Sequence, residues 1–291
     1  MSPTANGEGN GLVLNTRRVA VSIFLVCIAC EILLVFLDYR INYSHATELD
    51  PIRRFFNITR EDGLASWFAV TQTTMLALTS WLIWWIVGRR GAGRWTRVGW
   101  LVLFIFFSYM AFDDGTAFHE RMGSVFEETK GRAQAEPDAT TLGARALEAF
   151  PSYPWQLLFL PMFAALGLFS FLFLWWQSRS SLPRVMVVWA MVCFGSAIGL
   201  DFIEGLDPDH RWNAYTWIEK HHNFDQYAGL HFREGTYEAC RHFSKSIEEF
   251  LEMFANTLLW MVCLTQLGAN VHGARLQFAE AGPAPPPPSP A

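Results

Sequence analysis

Two short clusters of carboxylates, one of them carrying a histidine, hold most of the chemistry this sequence can offer. The first is Asp113-Asp114 followed by His119-Glu120; the second is Glu248-Glu249 with Glu252. Carboxylate and imidazole together suit Fe, Mn or Zn. Helical bundles hold such metals with carboxylates from facing helices, often with a Glu-x-x-His step. Here the step is Glu249-x-x-Glu252 and no Glu-x-x-His lies near it, so the identity of the metal stays open. Asp113, Asp114, His119, Glu120, Glu248, Glu249 and Glu252 are read as candidate ligands of a divalent metal. Glu31, Asp201 and Glu204 are read as catalytic groups, giving further ligands or handling protons. The competing reading of each cluster is a helix end that simply meets water.

The elements that must position these groups are membrane spans. The chain has 291 residues, 52% hydrophobic and 17% charged, against roughly 25% charged in soluble domains. Its 25 Phe and 13 Trp suit a lipid-facing surface with interfacial aromatic belts. A span needs about 20 mostly apolar residues. Six such runs are present, near residues 18–38, 64–88, 98–120, 154–177, 184–206 and 243–267. The predicted fold is therefore all-α, a polytopic transmembrane helix bundle over residues 18–268. It follows a polar tail at 1–17 and precedes a disordered Pro/Ala-rich tail at 269–291. Arg17 and Arg18, Arg89 to Arg97, and Arg179 with Arg184 mark alternate short segments. The positive-inside rule makes all three cytoplasmic, and both termini with them. A bacterial inner-membrane location is expected, with the loops near 39–63, 121–153 and 207–242 on the far side.

With that topology every intramembrane acid falls in the outer half of the bundle. Glu31 and Asp38 share a face of span one, and Asp113 and Glu120 share a face of span three, at about 100° per residue. His242, Lys245, Glu248, Glu249, Glu252 and Asn256 cover roughly a third of the circumference of span six. That polar wall is expected to point inward. An acid near a span centre costs roughly 2.5–3.5 kcal/mol on insertion scales. Lys245 and Arg241 are the nearest cations. Protons or metal ions are expected to hold the remaining acids together. Span four has no acid and is expected to face lipid.

Several chemistries can be set aside. Asp114-Gly115-Thr116-Ala117 opens like the CDP-alcohol phosphotransferase motif, but Phe118 stands where that motif has Arg. No Gly-x-Ser-x-Gly and no His-Glu-x-x-His occurs, no lysine sits mid-span for a Schiff base, and no paired histidines face each other for haem. The net charge of −5 argues against nucleic acid as a partner. Cys27, Cys30, Cys193 and Cys263 lie in apolar runs and read as packing residues. The histidines of the outer loop, His221, His222 and His231, read as ordinary polar residues.

Asp113-Asp114 with His119-Glu120, Glu248-Glu249-Phe250-Leu251-Glu252-Met253, and Glu61-Asp62-Gly63 with Trp67-Phe68 together resemble a family of uncharacterised bacterial multi-span membrane proteins. The resemblance covers spans two, three and six. It implies a common site and brings no activity with it. Three functions are compatible with such a site. The first is a metal-dependent membrane enzyme, an oxidoreductase or hydrolase, acting on an apolar or lipid-like substrate. The second is a cation or proton-coupled transporter. The third is a non-catalytic subunit of a membrane complex. Membrane lipids, and other membrane subunits in the third case, are the expected partners.

Overall fold

A computed structural model describes residues 16–134, 150–222 and 224–271. Six long helices are apolar enough to cross a membrane, and no strand occurs among the described residues. They are α1 (Thr16–Leu37), α3 (Leu64–Arg89), α4 (Arg94–Thr116), α6 (Pro154–Gln177), α7 (Ser181–Glu204) and α10 (Thr236–Asn270). A π-helical turn, Asp38–Tyr43, extends α1. Shorter helices fill the connections: α2 (Asp50–Phe56), α5 (Phe118–Gln134), α8 (Ala214–His221) and α9 (Asp225–Phe232). Local sequence explains several boundaries. Pro51 and Pro154 sit in first turns, where a missing N–H costs nothing. Asn213 caps α8 by accepting from the Thr216 amide at 3.0 Å.

Helix α10 is the axis of the bundle and packs against α1, α3 and α7. Its pairing with α3 runs in one direction, through Asn256–Thr73, Thr257–Gln72, Trp260–Thr79 and Cys263–Ser80. At its far end, the Gln266 amide reaches Ser178 and Gly268 abuts Thr16. The start of α1, the α3–α4 turn and the α6–α7 turn therefore gather at one end of the bundle. That is the end carrying the arginine-bearing segments. The acids gather at the other. The expected disordered tail at 269–291 overlaps the end of α10, which runs to Asn270, and residues from 272 onward lie outside the described residues, as does most of the N-terminal tail.

Two boundaries differ from the sequence expectation. Span three ends at Thr116, not near 120: Ala117 adopts a left-handed conformation (φ 50°) and the chain restarts as α5. His119 and Glu120 thus belong to α5, and helical arithmetic from Asp113 to Glu120 does not hold. Span six begins at Thr236, about two turns before 243. Its extra turns are amphipathic and pack on α8 and α9.

The dry core lies toward the arginine end, around Leu76, Ile83, Trp100, Leu103, Phe173, Leu174, Val187 and Leu259. Trp100 meets Phe173 edge-on at 5.3 Å between centroids. A side chain at Gly99 would overlap the Phe173 ring, so this glycine lets α4 and α6 approach here. Toward the acidic end the same helices line a cavity with α7 and α10. Helix α6 keeps its outward face apolar and exposed, at Leu168, Leu172, Trp175 and Trp176. Its other face walls that cavity.

Candidate functional site

The cavity is about 360 Å³, toward the small end of the range for ligand pockets. One part is apolar, with Phe106, Phe107 and Met110 of α4, Leu160 and Phe163 of α6, and Phe194 and Ile198 of α7. The other is acidic. Asp113, Asp114, His119, Glu120, Asp201, Glu248, Glu249 and Glu252 all line it, with Glu61 and Lys245. Every residue read from the sequence as a metal ligand therefore faces one space. Of the three residues read as catalytic, Asp201 joins them, Glu204 sits just behind, and Glu31 lies elsewhere.

The cavity has two edges at the protein surface. Ala164 and Leu168 line it and are exposed on the apolar flank of α6, with Leu168 59% exposed. Glu61 and Glu120 line it and are exposed on the loop side. Partial burial and the neighbouring Glu120 carboxyl hold Glu61 above the usual carboxylate range.

The break at Ala117 builds the first half of the acidic wall. Both oxygens of the buried Asp113 are taken by His119: Oδ1 accepts the backbone N–H at 3.0 Å and Oδ2 meets ring Nδ1 at 2.7 Å. Asp113 thereby caps α5 and fixes the imidazole. The ring is also held edge-on by Trp155 at 4.5 Å. With a proton on Nδ1, Nε2 keeps its lone pair, the arrangement common among metal-bound histidines. Burial works against a charge on this ring. The Asp113 carboxylate bonded to it outweighs burial, and the histidine pKa lies above its ordinary value.

A polar wall of α10 supplies the second half. Lys245 Nζ lies 2.6 Å from Glu248, 3.6 Å from Asp201, and 3.9 Å from both Glu204 and Glu249. Gln156 donates to the second Asp201 oxygen at 2.7 Å, and Arg241 reaches Glu204 at 3.2 Å. Among the described residues, one set of potential ligands comes within 4.8 Å of one another: Asp201, Glu204 and Glu248. This set can hold a metal ion, but the Lys245 ammonium already stands beside all three. Lys245 was visible in the sequence only as a nearby cation. Gln156 was missed; its signal is a single amide in the first turn of an otherwise apolar span.

Asp114 and Glu252 differ from that set. Both line the cavity, half-buried, and no hydrogen bond or ion pair to either is found among the described residues. Glu249 stands between the two halves, and its one ion pair among the described residues is with Lys245 at 3.9 Å.

Glu31 and Asp38 both face α10, as their spacing on α1 requires, but in separate networks. Glu31 is fully buried and accepts from Gln72 and Thr257. Asp38 accepts from Asn42, the Ile58 amide, His242 and Ser246 at 2.9–3.3 Å. His242 stacks on Tyr43 at 4.0 Å. The five cysteines are all free, with Cys27, Cys193 and Cys263 buried.

The fold and the site together define a polytopic α-helical membrane protein with a carboxylate-lined cavity in one half of its bundle. The chain belongs to the family described as Domain of unknown function (DUF8692), whose family model matches residues 21–267. No curated protein and no solved structure matches it.

Proposed function

We propose that the protein is a metal-dependent membrane enzyme, an oxidoreductase or hydrolase, whose substrate is apolar or lipid-like. The observation carrying this reading is the shared cavity: an oriented histidine, and Asp114 and Glu252, which have no ion pair among the described residues, line the same space as an apolar cleft. Repulsion and desolvation make Asp114 and Glu252 costly as bare anions, and a divalent cation offsets both. Asp114, Glu249 and Glu252, with His119 Nε2 as the nitrogen donor, would have to draw together to hold it, because Asp201, Glu204 and Glu248 are the one set among the described residues whose ligand atoms already lie within 4.8 Å of one another. Fe, Mn and Zn suit this donor set, and such a metal activates water or polarises a substrate oxygen. Asp113 acts through His119. Lys245 supplies a fixed positive charge beside the substrate and holds Asp201, Glu204 and Glu248 together. The substrate's apolar portion lies between α4, α6 and α7, having come in past Ala164 and Leu168.

Elemental analysis of the purified protein, after loading with Fe, Mn or Zn and desalting, tests the reading. Near-stoichiometric metal is expected, lost in His119→Ala and Glu249→Ala. Metal retained in those variants but lost in Asp201→Ala and Glu248→Ala moves the ion to the set around Lys245. Protein that never retains metal overturns the reading.

A second reading, proton-coupled or cation transport, is favoured by one observation. Polar contacts continue down the α3–α10 seam toward the arginine end, through Thr79–Trp260 and on to Gln266–Ser178. Metal-free protein that acidifies liposomes supports that alternative.

A further inference from the structure

Below the acidic end of the cavity, Glu31 forms a site of its own at the junction of α1, α3 and α10. Its carboxyl is 0% exposed. Both hydrogen bonds it accepts, from Gln72 Nε2 and Thr257 Oγ1, go to Oε1. Oε2 is buried with no hydrogen-bond partner, and so is the side-chain oxygen of Gln72. The groups facing Glu31 are Gln72 of α3, Thr257 of α10 and Cys27, one turn earlier on α1. Among the described residues no cation pairs with it. A bare carboxylate here is an uncompensated buried charge, which costs several kcal/mol even after relaxation. A proton on Oε2 removes that charge.

This site shares a wall with the cavity. Asn256, the neighbour of Thr257, lines the cavity and donates to Thr73, the neighbour of Gln72, at 3.1 Å. Two consecutive residues on each of two helices thus lie side by side, one pair at the closed site and one at the cavity wall, with no hydrogen bond between the pairs found among the described residues. We propose that Glu31 is a proton store: a neutral carboxyl that exchanges its proton with the acidic end of the cavity through the Thr257 hydroxyl and the Asn256 wall. The proton leaves to a cavity carboxylate, which becomes neutral as Glu31 becomes charged, and it returns by the same route, so no net charge is created. Cavity chemistry of any kind can then draw on a proton held about one helical turn beneath it.

Infrared spectroscopy of the full-length protein in lipid tests this without reference to metal or turnover. A protonated-carboxyl band that disappears in Glu31→Gln is expected at neutral pH. Transfer to D₂O should shift that band quickly in the wild type. The shift should slow by roughly 100-fold in Thr257→Val, the low end of what a positioned proton-transfer group contributes, and recover in Thr257→Ser. Where valine is not tolerated, Thr257→Ala carries the same expectation. If no band depends on Glu31, the carboxyl is ionised and the proposal fails. If the band shifts equally fast without the hydroxyl, there is no such route and it fails as well.

Discussion

Asp113 and Asp114 are neighbours in the chain and opposites in role. Asp113 spends both oxygens on His119, whereas Asp114 faces the cavity with no partner found among the described residues. The sequence places both at a span end but cannot separate them. The separation comes from the turn at Ala117, which swings α5 back over Asp113. One prediction follows from the raised pKa of His119. Below that pKa both ring nitrogens carry protons and no lone pair remains for a metal. Metal affinity should therefore fall as pH drops through a value above 6.5, the ordinary imidazole value. Competition titrations at a series of pH values read this directly, and His119→Gln should remove that step of the profile. A second prediction concerns Glu252. Glu252→Leu removes an acid whose insertion is unfavourable, so yield in the membrane should hold or rise while function is lost. A fully active Glu252→Leu protein takes this residue out of the site.

Helix α10 was the most legible element. Its polar stripe, read from spacing alone, does face inward, with His242 on Asp38 and the acids on the cavity. Helix α4 was less legible, because the left-handed residue at its end is an alanine, while Gly115 two residues earlier remains helical. Gly99 shows what holds the dry end of α4 against α6. Gly99→Ala should cost about 1–3 kcal/mol by overpacking against Phe173. Thermal unfolding in detergent should show part of that loss recovered in the double variant with Phe173→Leu. Asp38 ties the end of α1 to α10 and to the loop before α3. Asp38→Ala leaves four donors without their acceptor and should cost about 3 kcal/mol, the low end for breaking a buried pair. The same assay reads it.

The number and order of the six spans were readable, though not the end of span three or the start of span six, because an apolar run of the right length has few alternatives in a bilayer. The gathering of the arginine-bearing turns at one end and the acids at the other matches the alternation read from the loops. What could not be read was the pairing of helices across the bundle, and so which acid meets which cation. Sequence spacing orders residues along one helix and says nothing of the rotation of its neighbour. Lys245 illustrates this: Glu248 and Glu249 share its helix at i+3 and i+4, but only packing brings Asp201 and Glu204 of α7 to the same ammonium. The expectation that α6 merely faces lipid was half the account, since its inner side forms the apolar wall of the cavity.

That wall ends at Ala164 and Leu168, on the outside of the bundle. For the enzyme proposed above, a compound dissolved in the bilayer would reach the acids by this edge without first passing into water. Its supply is then set in two dimensions. Saturation should track the mole fraction of the compound among the surrounding amphiphiles, so that adding inert detergent at constant bulk concentration lowers the rate. A tryptophan at Ala164 should make the protein insensitive to that mole fraction while sparing small, water-soluble ligands that arrive past Glu61 and Glu120.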